Sequence, residues 1–148
     1  MLIGINSVAA FKQPRTGVEE YAYQLIKNLI ILKESQKYRF RLYTSSQQFL
    51  YFNLPDNFEV RQLKWPWPMW TQVRLASEMF LRQPDVLFIP VHVLPLIYPK
   101  NSVVTIHGLE YEYYPEMYPA RHLRYLRWST KYALKNARKI IAVSENTK

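Results

Sequence analysis

The stretch Ser-Val-Val-Thr-Ile-His-Gly-Leu-Glu-Tyr-Glu, residues 102–112, decides how the rest of the chain can fold. Its first five residues are rich in β-branched side chains, a composition typical of a strand buried on both faces of a parallel sheet. His107 follows at once, and ligands of open α/β sheets bind beyond the carboxyl ends of the strands. His107 is therefore predicted to face a substrate. The spacing fits equally a histidine that caps the strand or satisfies a buried carbonyl.

The composition indicates one globular domain, spanning residues 1–148. The chain is 49% hydrophobic and 16% aromatic, and it has no cysteine. A chain without cysteine can form neither disulfides nor thiolate metal sites, which fits a reducing compartment. The first residues lack the basic start of a signal peptide, and no window has the length of a membrane-spanning helix. We therefore expect a cytoplasmic protein.

The charge balance indicates anionic partners. Twenty Lys and Arg against eleven Asp and Glu give a net charge of +9, which favours nucleic acid, an anionic membrane surface or phosphorylated ligands. No acidic residue lies between Met117 and Ser144. In the helix predicted there, basic residues recur every three or four positions, and the alternative to an anion-facing surface is ordinary solubility. This basic stripe comprises Arg121, Arg124, Arg127, Lys131, Lys135 and Arg138.

Short apolar segments alternate with long periodic ones, as in a doubly wound sheet. We predict an α/β fold with a mostly parallel, Rossmann-like sheet and helices on both faces. The predicted strands are residues 2–6, 38–44, 58–63, 86–89, 102–106 and 139–143, the third being the weakest. The predicted helices begin after Thr16, at Pro68 and at Ala120, with a short one around Gln47 to Tyr51 and another starting at residue 144.

Apolar spacing assigns a core face to each long helix. In the first helix this face contains Val18, Tyr21, Ala22, Leu25, Ile26, Leu29 and Ile30. In the second it contains Met69, Val73, Ala76 and Phe80. In the third it contains Leu123, Leu126, Thr130, Ala133, Leu134 and Ala137.

The first helix has a recognisable start. Thr16 and Glu19 fit a capping box, in which the glutamate reaches back to the amide of the cap residue. A helix that begins with Gly17 directly after a strand and loop presents free N–H groups to an anion such as phosphate. A single glycine is also what any ordinary loop-to-helix junction can contain.

Three of the four tryptophans lie between residues 65 and 70, separated by prolines. Trp70 is predicted to plug the edge of the core. Trp65 and Trp67, on a loop beside Lys64, are predicted to form an exposed apolar patch, which usually marks an interaction surface.

Four segments together resemble the N-terminal domain of family 4 retaining glycosyltransferases, which have the GT-B fold. They are Arg-Thr-Gly-Val-Glu-Glu-Tyr-Ala (15–22), Val-Val-Thr-Ile-His (103–107), Tyr-Pro (114–115) and Ile-Ile-Ala-Val-Ser-Glu-Asn-Thr-Lys (140–148). The resemblance covers almost the whole chain, which would form one half of a GT-B fold.

The resemblance implies roles for individual residues. Thr16 and Gly17 would approach the donor phosphates or the transferred sugar, and His107 would hydrogen-bond the donor sugar near the reacting centre. The acceptor would bind mainly to this domain. We assign to the acceptor side or the cleft a further set of residues, namely Arg15, His92, Gly108, Glu110 and Glu112.

Two departures from the family pattern qualify these roles. Many members have two adjacent glycines where this chain has Thr16-Gly17. Many have an aspartate directly after the histidine, where this chain has Gly108. The function of that carboxylate is therefore either absent or taken over by Glu110 or Glu112.

The donor half of such enzymes is a second Rossmann-like domain, and this sequence does not contain it. We expect the sequence to be truncated at its C-terminal end, with the donor domain supplied in cis or in trans. Residues 139–143 would then be a poorly covered strand, prone to fraying or to forming a homodimer.

The leading hypothesis is the acceptor-binding half of an enzyme that transfers a sugar from a nucleotide sugar to a lipid-linked or polysaccharide acceptor. It would work at the cytoplasmic face of the membrane, with Trp65, Trp67 and the basic stripe docked on anionic lipid. The alternative is a non-catalytic module that binds a membrane or a partner.

The motifs of other functional classes are absent from the sequence. Nucleic-acid binding has no helix-turn-helix, zinc or ribonucleoprotein motif here, a dehydrogenase would need G-x-G-x-x-G, and a hydrolase would need a nucleophile elbow. The three histidines do not have the spacing of metal ligands, so we expect neither a metal nor another cofactor.

Overall fold

A computed structural model describes residues 1–45 and 53–148. Its core is a six-stranded sheet in the order β3-β2-β1-β4-β5-β6, and every neighbouring pair is parallel. The predicted doubly wound α/β fold is therefore confirmed, with each strand within one residue of its predicted bounds. The strands are β1 Leu2–Asn6, β2 Arg39–Thr44, β3 Phe58–Gln62, β4 Val86–Ile89, β5 Ser102–Ile106 and β6 Lys139–Ala142. The predicted short helix around Gln47 to Tyr51 lies outside the described residues.

One face of the sheet is covered by helix α1, Gly17–Ile31. Its predicted apolar face is confirmed, because Ala22 and Ile26 are fully buried against Ile5, Phe40 and Leu42 of the sheet. At its start, the Glu19 carboxylate accepts a hydrogen bond of 3.1 Å from the backbone N–H of Thr16, as the predicted capping box requires.

The opposite face is covered by two helical elements that follow β3 and β5. The first is a π-helical turn, Thr71–Leu75, which continues into α2, Ala76–Leu81. The second is α4, Ala120–Asn136, which comes after the four-residue helix α3, Glu110–Tyr113. The two long elements bury Leu75, Met79 and Ala133 against the sheet, so helices lie on both faces, as predicted.

The predicted core face of the second helix is wrong. Of its four residues only Ala76 is buried, whereas Met69, Val73 and Phe80 are exposed. The residues that face the core are Gln72, Leu75, Ala76, Glu78 and Met79. Two of them are polar, so apolar spacing alone selects the wrong side of this helix.

Both polar side chains are buried with partners. The amide of Gln72 donates to the carbonyl of Leu94 at 3.1 Å and accepts from the N–H of Leu96 at 3.0 Å. The Glu78 side chain is 1% exposed and lies within 4 Å of three arginines, Arg61, Arg74 and Arg82. A buried polar group is tolerated only when its hydrogen bonds or charges are satisfied, which these contacts achieve.

The predicted core face of α4 is largely confirmed. Leu126, Thr130 and Ala133 are buried, but Leu134 is 57% exposed, which contradicts its assignment to the core. Ser129 is buried instead, because its hydroxyl donates to the carbonyl of Leu126 at 3.0 Å. A backbone partner one turn away lets a small polar residue occupy a core position.

The strand β6 forms one edge of the sheet and is incompletely covered. Ile141 and the adjacent Val143 are 40% and 43% exposed, as expected for this part of the chain. Homodimer formation or fraying at this edge stays a prediction. No helix among the described residues combines the length and the apolar character that a bilayer crossing requires.

The capping box predicts a pH-dependent contribution to stability. Hydrogen bonds from Thr16 and Lys12 lower the pKa of Glu19 from 4.5 to about 2, against the opposing effect of burial. A carboxyl group with a lowered pKa stabilises the fold above its unfolded pKa, and the contribution is lost as the pH falls from 4.5 towards 2. We expect Glu19→Gln to lower the free energy of unfolding by about 1 kcal/mol at neutral pH.

Urea unfolding of Glu19→Gln and wild type at several pH values measures this difference. The two proteins should converge in acid, while Glu34→Gln, an exposed glutamate on another segment, should match wild type throughout. A difference that persists unchanged at pH 2 would show that the Glu19 charge is not the cause.

Candidate active site

His107 is held at the carboxyl edge of the sheet by a hydrogen bond across two strands. Its Nε2 lies 2.7 Å from the carbonyl oxygen of Pro90, the residue after β4. A carbonyl oxygen only accepts hydrogen bonds, so Nε2 carries the proton in this contact. The hydrogen bond supports the second interpretation of the sequence, in which His107 satisfies a carbonyl, and in the neutral ring it leaves Nδ1 as an acceptor. That His107 faces a substrate stays a prediction.

The ring of His107 is packed by α1. The edge-on contact with the Tyr21 ring has a centroid distance of 4.8 Å and an interplanar angle of 84°. The Tyr21 hydroxyl lies 3.4 Å from the hydroxyl of Thr105 in β5. Tyr21 stands one turn after Gly17, so it links the first turn of α1 to His107. Its apolar spacing indicated only a core position, and this contact between elements was not predicted.

His107 opens into a cleft of about 270 Å³. The residues that line it include Glu110, Tyr113, Ser144, Asn146 and Thr147. Residues 144–147 follow β6, which lies beside β5, so their place at this edge follows from the parallel order of the strands. The sequence analysis gives residues 144–147 no role, although their position directly after a strand is a usable signal.

The turn that carries Glu110 is fastened to α4 by its next two residues. The Tyr111 hydroxyl donates to the hydroxyl of Thr130 at 2.7 Å in a buried contact. The Glu112 carboxylate pairs with Arg127, with a shortest distance of 3.0 Å. Glu112 and Arg127 therefore neutralise each other, which removes Glu112 from the cleft chemistry and Arg127 from the freely charged part of the basic stripe.

Glu110 differs from Glu112 in its surroundings. Its carboxylate lies over Gly108 so closely that a Cβ at residue 108 would overlap it. Within the part of the chain that the structure describes, this carboxylate makes neither a hydrogen bond nor an ion pair. Of the two glutamates that could replace a carboxylate at residue 108, Glu110 is the one whose carboxylate lies there.

His92 belongs to the same edge of the sheet. Burial lowers its pKa, and the nearby charges of His107 and His122 act in the same direction, while Glu110 acts against them. The cleft lining contains His107, Gly108 and Glu110 of the predicted site but not His92, which lies on the loop after β4. Three or more His, Asp or Glu side chains arranged to hold a metal ion do not occur in residues 1–45 and 53–148, and a reaction without a metal stays a prediction.

The start of α1 offers space at Gly17. A Cβ built there would meet no atom within 4 Å, so packing does not require the glycine. Arg15 is held elsewhere: its Nε donates to Glu20 at 2.8 Å, and its guanidinium lies 4.0 Å from the centre of the Tyr23 ring. These contacts engage Arg15 with α1 rather than with His107.

The basic stripe runs beside a row of aromatic rings on α4. The Trp128 ring stacks on Tyr132 at 5.5 Å and lies 5.9 Å from Tyr125, and Tyr132 meets Tyr98 edge-on. Trp128 and Tyr125 are 43% and 40% exposed. The exposed cations beside this aromatic row are Arg121, Arg124, Lys131 and Lys135.

The tryptophan loop, residues 65–70, has one largely exposed ring. Trp67 is 67% exposed, as predicted. Trp65 is half-buried, because its indole N–H donates to the carbonyl of Pro68 at 3.1 Å, so its predicted exposure is only partly correct. The indole N–H of Trp70 donates to the carbonyl of Leu63 at 2.8 Å, at the edge of the core.

The tautomer of His107 can be measured directly. We expect ¹⁵N chemical shifts, recorded where the His107 ring is neutral, to show a protonated Nε2 and an unprotonated Nδ1. His107→Leu should lower the free energy of unfolding by about 1 kcal/mol, since the Pro90 carbonyl loses its donor. His107→Gln should lose less, because its amide nitrogen can replace Nε2. Equal losses in the two variants, or a protonated Nδ1, would contradict the assignment.

Comparison with known proteins assigns the chain to a family. A sequence model of Glycosyltransferase Family 4 matches residues 15–148, from the residue before Thr16 to the segment that lines the cleft. The searches of curated proteins and of solved structures give no match. The match covers far more than half of the chain and includes Gly17, His107 and Glu110. This chain belongs to Glycosyltransferase Family 4.

Proposed function

We propose that this domain is the acceptor-binding half of a retaining glycosyltransferase of the hexosyltransferase type. The enzyme transfers a sugar from a nucleotide sugar to a lipid-linked or polysaccharide acceptor in cell-envelope polysaccharide synthesis. The observation that carries the proposal is His107, held by Pro90 and lining a cleft in a family 4 domain. The cleft offers a carboxylate, hydroxyls, an amide and phenol rings, which are the groups that bind sugar hydroxyls.

His107 acts on the donor sugar. Its free Nδ1 accepts a hydrogen bond from a sugar hydroxyl near the reacting carbon, which orients the sugar while the bond to the nucleotide phosphate breaks. The fixed tautomer matters, because a preorganised group does not have to reorient as charge develops in the transition state. Tyr21 and Pro90 are positioning residues for this ring.

The first turn of α1 approaches the donor phosphates. Free N–H groups and the positive end of the helix dipole favour an anion there. The acidic side chains of this turn are already neutralised, since Glu19 pairs with Lys12 and Glu20 with Arg15. The open space at Gly17 lets a phosphate or a sugar contact the backbone.

A second Rossmann-like domain completes the enzyme, in cis or in trans. Sugar transfer requires donor and acceptor to be oriented within a closed cleft, and a single wall cannot exclude water or hold both substrates. The His107 cleft supplies one wall, and by itself this chain is expected to be inactive in transfer. The reaction uses the nucleotide sugar as a substrate and needs no metal or other cofactor.

The aromatic row, Trp67 and the basic stripe dock the domain on the inner face of the cytoplasmic membrane. Aromatic rings and long apolar side chains suit the interface, and exposed cations attract anionic lipid. The apolar side chains of this proposed docking surface include, besides the predicted tryptophans, the exposed residues Met69, Leu96 and Ile97. Docking would bring the cleft close to a lipid-linked acceptor.

The catalytic role predicts a selective loss in His107→Ala. In the complete enzyme, kcat should fall by about a hundredfold, since one preorganised interaction with the transition state is removed. His122→Ala, which alters an exposed histidine on α4, should keep at least half of the wild-type rate. Steady-state kinetics with a nucleotide-sugar panel measure both. An unchanged rate in folded His107→Ala would instead favour a non-catalytic binding module.

Membrane docking predicts a dependence on the position of the charges. Replacing Arg121, Arg124 and Lys131 by glutamine should weaken binding to vesicles containing phosphatidylglycerol by roughly a hundredfold, at about 1 kcal/mol for each cation. The control replaces Lys27, Lys33 and Lys37, exposed on the opposite side of the sheet, and should change binding little. Cosedimentation at low and high salt measures this. Equal weakening in both variants would indicate a non-specific effect of net charge.

A further inference from the structure

The carboxylate of Glu110 is a free acidic group at the edge that carries His107. It lines the His107 cleft. Hydrogen bonds and ion pairs within the described ranges 1–45 and 53–148 do not involve it, in contrast to Glu112, which Arg127 neutralises. An unpaired carboxylate beside a cleft keeps its full capacity to accept hydrogen bonds from a ligand.

Gly108 makes room for this carboxylate. The backbone of Gly108 does not have a positive φ, so a side chain would be compatible with its conformation. What a side chain would meet is the carboxyl group of Glu110, whose carbon lies 2.5 Å from the position of an ideal Cβ. A side chain at residue 108 would therefore push this exposed carboxylate out of its present position.

Contacts with α4 also fix the position of the turn that carries Glu110. Tyr111 and Glu112 anchor the turn to α4 through Thr130 and Arg127. The backbone N–H of Tyr114 donates to the carbonyl of Glu110 at 2.8 Å and closes the turn. Because its neighbours are tethered, the backbone of Glu110 is held beside the cleft that Glu110 and Gly108 line.

We infer that Glu110 binds two neighbouring hydroxyl groups of the acceptor sugar and selects acceptors that have them. The inference rests on the proposed function. The two oxygens of one carboxylate can accept from two adjacent hydroxyls, and hydrogen bonds to a charged acceptor are the stronger kind. A site built to bind a hydroxyl discriminates strongly against an analogue that lacks it, because its polar group is left unpaired.

The rest of the cleft complements this role. Asn146 offers an amide donor and acceptor, and the hydroxyls of Ser144 and Thr147 lie 2.9 Å apart. Tyr113 is 73% exposed and presents a ring on which the apolar face of a sugar can rest. A carboxylate, an amide, hydroxyls and an aromatic ring within one cleft form a set suited to a polyol.

The test is an NMR titration of the full chain with four probes, the methyl glycosides of glucose, galactose, mannose and N-acetylglucosamine. At least one probe should shift the amide signals of residues 107–113. Glu110→Gln should weaken that binding by roughly tenfold or more, since a charged acceptor is lost. Glu116→Gln, an exposed glutamate outside the cleft lining, is the matched control and should bind within twofold of wild type.

The variant Gly108→Ala provides an independent test of the inference. Its methyl group would displace the carboxylate, so its affinity for the sugar should fall as in Glu110→Gln, and the double variant should lose little more. The pKa of His92, measured from its ring signals, should fall in Glu110→Gln and stay constant in Glu116→Gln. This readout reports the charge of Glu110 at the cleft and does not depend on any ligand.

Two results would overturn the inference. One is that no probe shifts the signals of residues 107–113, and the other is that Glu110→Gln binds its sugar as wild type does. Failure of the proposed function looks different: the complete enzyme would transfer no sugar although this chain still binds the probe through Glu110.

Discussion

The parallel pairing of β4 with β5 is the constraint that determines the geometry at the carboxyl edge of the sheet, where His107 lies. Ile89 pairs with Val104, so β5 continues for two residues beyond the last residue of β4. This offset leaves the carbonyl of Pro90 beside the side chain of His107, where the 2.7 Å hydrogen bond forms. A change of register would separate the two groups and free the ring, so one strand pairing fixes both the position and the tautomer of the histidine.

Burial of the strands explains why their short apolar runs can be recognised in the sequence. Val104 and Ile106 point to one core and Thr105 to the other face, where it meets Tyr21 of α1. In a strand covered on both faces, each side chain must be apolar or have a hydrogen-bond partner. This requirement makes β5 recognisable from its five residues alone. The edge strand β6 has partly exposed positions, yet its short apolar run was sufficient to predict it.

The sequence predicted the six strands, their order, the helices α1 and α4, the capping box and the edge on which His107 lies. It placed the start of the second helix at Pro68, although Met69 has a positive φ and the helical turns start at Thr71, and it did not predict α3. It failed where polar groups are buried with partners from distant parts of the chain. Glu78 is 1% exposed and meets Arg61, which precedes it by 17 residues, and Gln72 bonds a loop that follows it by more than 20 residues. Apolar periodicity treats such residues as exposed, so the core face of the second helix was misassigned. The same limit applies to Glu110 and Glu112, which are indistinguishable until the Arg127 contact is known.

Helix α4 connects the two surfaces for which functions are proposed. Its inner and lateral residues Thr130 and Arg127 hold the turn that carries Glu110. Its outer residues supply the aromatic row and the free cations. Because α4 is one continuous helix of 17 residues packed on the sheet, these surfaces cannot move independently. A membrane bound by the outer side of α4 would therefore lie at a fixed distance from Glu110 and His107, and the reach of the acceptor from its lipid would decide which of its sugars enters the cleft.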